Sequence, residues 1–135
     1  MEERIRRLRE TKAIAALGGG EEKIAKEHEK GKLTARERID LLLDPGSFNE
    51  FGMLVKYKLG APGDGIVIGH GTIDGRRVCV FSHDTTVLGG SQGYMHGRKL
   101  YKIHEMALEM GVPLIGLDDS PGARVVRPEL AGSDD

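Results

Sequence analysis

The sequence predicts an α/β fold with a polar helical arm ahead of a sheet, and three observations carry that prediction. Two β-rich runs, residues 66–73 and 76–82, are joined by Asp74-Gly75, a pair suited to a type I′ hairpin because both of its central positions need φ > 0. The run Val78-Cys79-Val80-Phe81 is apolar at consecutive positions, so both pleat faces of its strand need a cover. Beyond it the order is glycine loop, helix, short apolar strand, second glycine loop, which alternates as an α/β chain does.

From the start of the chain, residues 2–17 and 21–30 read as two polar helices separated by Gly18-Gly19-Gly20, with Ile5, Leu8 and Ile14 as the main apolar positions of the first. They form an arm, residues 1–31, whose charges are those of a solvated surface. Thr34 followed by Glu37 is a capping box, and Ala35, Ile39, Leu42 and Leu43 share a face of the helix it opens. Asp44-Pro45-Gly46 stops that helix, and a short strand follows within residues 47–51. After the loop of residues 60–65 comes the hairpin. Leu100, Ile103, Ala107 and Met110 recur at helical spacing within residues 94–110, and Gly111 and Pro113 end the helix. Residues 114–117 are expected to form a short buried strand, and residues 125–135 an irregular tail.

At 135 residues the chain is bounded to one domain, and its 4% aromatic content with no Trp makes the core aliphatic. Lys+Arg 20 against Asp+Glu 21 leaves a formal charge of −1, so neither nucleic acid nor an acidic membrane is an expected partner. No apolar run approaches transmembrane length, and the charged first residues lack a secretory h-region, so the expectation is a cytoplasmic protein. The single cysteine, Cys79, lies in an apolar run as a structural thiol and excludes a disulfide framework or cysteine-based zinc site.

The candidate chemistry gathers in the glycine loops. Val87-Leu88-Gly89-Gly90-Ser91-Gln92-Gly93 follows a strand and opens a helix, so free amides and the positive helix end point to an anion or a carbonyl oxygen, with a ligand-free packing turn as the competing reading. It is neither a Walker loop nor the dinucleotide fingerprint, which weighs against an unrelated nucleotide-binding protein. Arg98, Lys99 and Lys102 stand near that helix end, where the phosphates of a nucleotide-bearing ligand can meet them, although a solvated face explains them too. In the second loop the amides of Gly122 and Ala123 are available to a cavity and Arg124 to a charged group. Ser120 lacks a nucleophile elbow and reads as a turn residue, His83 as incidental beside a turn-forming Asp84, and His28 and His70 have no evident partner. His104-Glu105 lacks the second His of a metalloprotease helix, and no metal is expected.

Five stretches taken together resemble a known family. They are Leu33-Thr34-Ala35-Arg36-Glu37-Arg38-Ile39-Asp40-Leu41-Leu42-Leu43-Asp44, Gly63-Asp64-Gly65-Ile66-Val67, Gly71-Thr72-Ile73-Asp74-Gly75-Arg76, Gly89-Gly90-Ser91, and Leu117-Asp118-Asp119-Ser120-Pro121-Gly122-Ala123-Arg124. In order and spacing they look like the carboxyltransferase (β) subunit of biotin-dependent acyl-CoA carboxylases, of the propionyl-CoA carboxylase β chain and methylmalonyl-CoA decarboxylase α chain type. The resemblance implies a crotonase-like ββα superhelix, with residues 32–124 as the first part of the N-terminal carboxyltransferase domain. It implies acyl-CoA as substrate, biotin on a separate carrier protein or domain, biotin carboxyl carrier and biotin carboxylase components as partners, and a homo-oligomer. The implied chemistry is capture of carboxybiotin-derived CO2 by a thioester enolate that backbone amides stabilise.

Carried over by position, Gly122 and Ala123 line the thioester pocket, Gly89, Gly90 and Ser91 support the same end of it, and Arg124 completes the acyl-CoA-binding set. No residue of the chain is assigned as catalytic. Pro121 departs from the glycine of many members and removes an amide donor. No cysteine pairs precede the match, which disfavours the zinc-ribbon version of the subunit. The family pattern continues past Arg124 into a further glycine turn with the principal oxyanion amides. The expectation is therefore an opening segment of a larger enzyme, too short to do the chemistry alone and exposing apolar surface around residues 78–81 and 114–117.

Overall fold

The computed structural model describes residues 1–57 and 61–125, so all of the tail except Val125 lies outside the described residues. The chain runs α1 (Glu2–Ala16), α2 (Glu21–Glu29), α3 (Ala35–Leu42), β1 (Asn49–Phe51), β2 (Ile66–Ile73), β3 (Arg76–His83), α4 (Tyr94–Met110) and β4 (Leu114–Leu117). The strands form one sheet in the order β1-β2-β3-β4, antiparallel except that β4 runs parallel to β3 after the α4 crossover.

Alternation along the two central strands decides what covers them. Val67, Val78 and Val80 pack with Ala35, Ile39 and Leu43 on the α3 side. Ile66, Ile68 and Cys79 pack with Ile103 and Ala107 on the α4 side. The run at 78–81 is thus covered on both faces, as its composition demands, and this corrects the expectation that it would add to the exposed apolar surface, because α3 and α4 lie within the chain itself. The Cys79 thiol is fully buried, which pushes its pKa up and leaves it inert.

The hairpin turn has φ of 50° at Asp74 and 78° at Gly75. Its fit is reinforced from outside the hairpin. The Asp44 carboxylate accepts the Thr72 hydroxyl at 2.6 Å and the Asp74 and Gly75 amides at 2.9 Å each. These bonds, the Thr72 hydroxyl first, hold the Asp44 carboxyl below the usual carboxylate range. Asp44→Ala is expected to lower Tm by a few degrees. In the parent chain this contribution should fade as acid protonates Asp44, and in the variant that part of the acid dependence should be missing when Tm is measured against pH.

Helix ends follow the local chemistry. Thr34 Oγ1 accepts the Glu37 amide at 3.3 Å, and the Glu37 carboxylate, besides the Thr34 backbone, meets His28 Nε2 at 2.7 Å. The same carboxylate gives His28 the partner its sequence context did not supply. Helix α4 ends on Gly111 in the left-handed conformation, with φ 66°.

The arm is tied down more firmly than its polarity suggests. Helix α1 buries only Ala15. The glycines after it act as a contact, because Gly19 donates its amide to Thr86 Oγ1 at 3.0 Å and a Cβ there would sit 1.8 Å from the Thr86 carbonyl oxygen. Strand β4 is an edge strand and half-buried, not buried as expected, since only β3 pairs with it. Beside it Leu33, Leu41, Leu42 and Leu117 line an open hollow of about 530 Å³, and Leu41 is 75% exposed.

Candidate functional site

Two turns meet where β3 and β4 end. The first, Leu88–Gly90, has φ of 49°, 65° and 73° at its three residues. Glycine adopts such angles freely, but Leu88 does so at a cost of about 1–2 kcal/mol. Bonds from Gly90 N to the Val87 carbonyl at 3.0 Å, and from Ser91 N and Oγ to the Leu88 carbonyl at 3.1 and 2.7 Å, close it. In the second turn Ser120 Oγ accepts the Gly122 amide at 3.1 Å, a turn role as its context suggests.

The turns are stitched together by a parallel bridge between Gln92 and Ala123. Gln92 N donates to the Gly122 carbonyl and Arg124 N to the Gln92 carbonyl, both at 2.8 Å. A Cβ on Gly90 would lie 2.7 Å from the Asp119 carbonyl oxygen, so only glycine permits this approach. Gly89, Gly90, Ser91, Gly122, Ala123 and Arg124, 31 or more residues apart in sequence between the two sets, therefore occupy one neighbourhood. Gly89 and Gly122 would meet nothing within 4 Å of an added Cβ, which leaves an open rim on the pair of turns.

The positive end of α4 is not vacant, and this corrects the expectation of a free anion site there. Asp64 fills it: Oδ2 accepts the His96 amide at 2.9 Å in the first turn of the helix, where Gly93 supplies no side-chain cap. Asp64 Oδ1 accepts from Arg124 at 2.6 Å, and the two side chains are 3% and 8% exposed. Arg124 also donates from Nε to Ser91 Oγ at 3.0 Å and from its other terminal nitrogen to the Ser91 carbonyl at 2.9 Å.

The basic residues of α4 separate. Lys99 points inward, donating to the Gly63 carbonyl at 2.9 Å and to the Ile66 carbonyl, and burial lowers its pKa to about 8. It holds the loop that carries Asp64 and does not reach the outer face. Arg98 and Lys102 stay on that face, beside Tyr94 and Glu105.

His83 is not incidental either. It is buried and stacks on His96 with ring centroids 5.1 Å apart. Its Nδ1 accepts the Asp119 amide at 3.2 Å, while His96 Nδ1 donates to the Asp64 carbonyl at 3.1 Å. The rings thus brace both loops from beneath. Burial pushes the His96 pKa down to about 4 from 6.5, so it is neutral at pH 7. Between those values the unfolded chain takes up a proton that the folded chain refuses, so stability falls as pH drops from 6.5 towards 4, by up to about 3 kcal/mol. Denaturant unfolding across that window should show the slope, and His96→Gln should flatten it.

Asp118 and Asp119 diverge as neighbours in an extended segment do. Asp119 meets Lys32 at 2.6 Å and Arg38 at 3.2 Å, and the Lys32 bond leads the causes that hold its pKa down. Asp118 is 76% exposed and lies 3.4 Å from His83. Among the described residues no helix is long and apolar enough to cross a membrane, and no three His, Cys, Asp or Glu side chains form a metal-holding group. Sequence reasoning missed the roles of Asp64 and His96, read His83 as incidental, and grouped Lys99 with outward-facing cations from which the structure separates it. Only Asp64 carried a local signal, as a non-glycine residue set between Gly63 and Gly65 in a turn where all three have positive φ.

A carboxyl transferase domain is matched over residues 26–133. The propionyl-CoA carboxylase carboxyltransferase subunit of Haloferax mediterranei is 51% identical over 93% of this chain and 26% of its own length. The methylmalonyl-CoA decarboxylase subunit alpha of Veillonella parvula is 45% identical over the same shares. Among solved structures, a transcarboxylase 12S hexamer with methylmalonyl-coenzyme A and methylmalonic acid bound superposes with a TM-score of 0.91 at 42% identity, over 97% of this chain and 27% of that one. The chain thus spans about a quarter of the length of the curated relatives it matches.

Proposed function

We propose, from the premise that this chain belongs to the carboxyl transferase domain family, that its paired glycine turns form part of the acyl-CoA site of a biotin-dependent carboxyltransferase. The α/β fold is the crotonase-like one of the solved carboxyltransferases. The observation that carries the reading is the Gln92–Ala123 bridge, which places an open, glycine-lined rim between the ends of two neighbouring parallel strands.

Gly89, Gly90, Ser91, Gly122 and Ala123 are the residues we assign to this rim, within a domain spanning residues 32–124. The substrate we propose is a short-chain acyl-CoA of the propionyl or methylmalonyl type, in keeping with the similar proteins and with the methylmalonyl-coenzyme A of the transcarboxylase. The α-proton would pass to the base that the carrier's biotin supplies on giving up its carboxyl group, and negative charge moves onto the thioester oxygen. Rim amides other than those of Gly90, Ser91 and Gly122, which are donated within the turns, stabilise that charge. The α-carbon then forms its bond to CO2, and in the decarboxylating direction that bond breaks. We assign this stabilisation to backbone dipoles, and Arg124 acts on the rim through Ser91.

Biotin, delivered on a separate carrier, supplies or receives the carboxyl group. The buried polar atoms beneath the turns that have no partner, His83 Nε2 and His96 Nε2, are enclosed and offer no face to its ring, so no residue of this chain is assigned to it. A biotin carboxyl carrier, a biotin carboxylase and further copies of the subunit are the partners we propose.

Calorimetric titration with propionyl-CoA and with NAD, followed by a carboxyl-transfer assay using a biotinylated carrier, tests the reading. Binding of the acyl-CoA is expected, and binding of NAD in its place would overturn the assignment. Acyl-CoA binding without transfer, even when the remaining carboxyltransferase segments of a relative are supplied, would favour a second reading, a module that holds CoA-like anions.

A further inference from the structure

We infer that Asp64 and Arg124 are positioning residues for the acyl-CoA site: their buried ion pair holds the two glycine turns at one separation and keeps the first in its strained conformation. The inference rests on the function proposed above. It begins from the left-handed φ at Leu88, Gly89 and Gly90, which Leu88 does not adopt unaided. Ser91 secures that turn through Leu88, and Arg124 secures Ser91 twice, at the hydroxyl and at the carbonyl. The remaining arm of the guanidinium is fixed by Asp64 at 2.6 Å. Asp64 in turn is fixed by the first turn of α4 and, through the Gly63 and Ile66 carbonyls flanking its loop, by Lys99.

The space for this arrangement is made by glycine. A Cβ on Gly93 would lie 2.2 Å from a terminal nitrogen of Arg124 and 2.6 Å from its central carbon, so the guanidinium packs directly against that residue. One rigid plane therefore ties the loop before β2, the turn after β3 and the turn after β4. A planar fork transmits a fixed geometry between three partners, which a single ammonium cannot. Because both turns contribute to the open rim, their separation sets the spacing of the amides that would meet a thioester oxygen. An error there of about 1 Å costs about 100-fold in rate.

Arg124→Lys is the informative variant, since it keeps a charge beside Asp64 and loses the fork to Ser91. In the transfer assay its kcat should fall about 10- to 100-fold with KM changed far less. Amide hydrogen exchange of residues 89–92 should speed up about 10-fold or more, while β2 and β3 keep their protection. Ser91→Ala should produce the same local loss, and the effects of the two substitutions should not add, because they break one linkage. Should Arg124→Lys fail to fold, the exchange result for Ser91→Ala decides. Parental kcat and exchange, or a global loss of stability with kcat per folded molecule unchanged, would overturn the inference. If the parent chain neither binds nor carboxylates acyl-CoA, the functional reading fails while the exchange comparison still judges the linkage.

Discussion

Gly90→Ala is expected to part the two turns, abolish acyl-CoA binding and destabilise the chain by about 2–4 kcal/mol. The added Cβ meets two penalties. Gly90 has φ 73°, a conformation that costs alanine about 1 kcal/mol or more. It also has the Asp119 carbonyl oxygen 2.7 Å from the new atom, and that oxygen belongs to backbone that cannot move aside without releasing the second turn. Gly89→Ala is the internal control, because it has φ 65° but open space around the new atom. It should lose about 1 kcal/mol and retain the bridge between Gln92 and Ala123. Urea unfolding and acyl-CoA titration of both variants separate the contributions, and equal behaviour of the two would show that contact between the turns is unimportant.

Ile39→Ala should cost about 3–4 kcal/mol in the same unfolding measurement. Ile39 is fully buried, and it inserts between Val67, Val78 and Val80 from the helix that covers one face of the sheet. The neighbouring segments are pinned by the Asp44 carboxylate on one side and by the Arg36–Glu50 ion pair on the other, so the site cannot collapse to fill the void. Since a domain has only about 5–15 kcal/mol in all, this single change consumes a large share. Leu41→Ala, two residues away on the exposed side of the helix, should change little.

What was legible in the sequence is what short-range chemistry decides. Asp74-Gly75 forms the hairpin because few other residue pairs tolerate its angles, and Thr34 caps α3 because its hydroxyl lies within reach of the Glu37 amide. The apolar period of α4 and its glycine stop fix both ends of that helix. The six residues picked out for the site converge because two strands that lie side by side carry their turns to the same edge of the sheet.

What escaped sequence reasoning depends on partners far away in the chain. Nothing near Arg124 announces that its charge is matched by Asp64, or that the helix end beside Gly93 is already filled by the same carboxylate. Lys99 shares its chemistry and its neighbourhood with Arg98 and Lys102, and only the rotation of α4 against β2 turns it inward. His83 and His96 are 13 residues apart and stack only because the loop between them folds back over the end of β3. The Glu37–His28 contact joins α3 to α2, and spacing alone does not announce it.

Backbone amide NMR during titration with propionyl-CoA tests most directly whether the two stitched turns form one face of an acyl-CoA site. The predicted result is that the amides of residues 89–92 and 122–124 shift together, saturate at one concentration, and shift less with CoA lacking the acyl group. Shifts confined to α1 and α2, or turn amides unmoved while the ligand binds elsewhere, would contradict it.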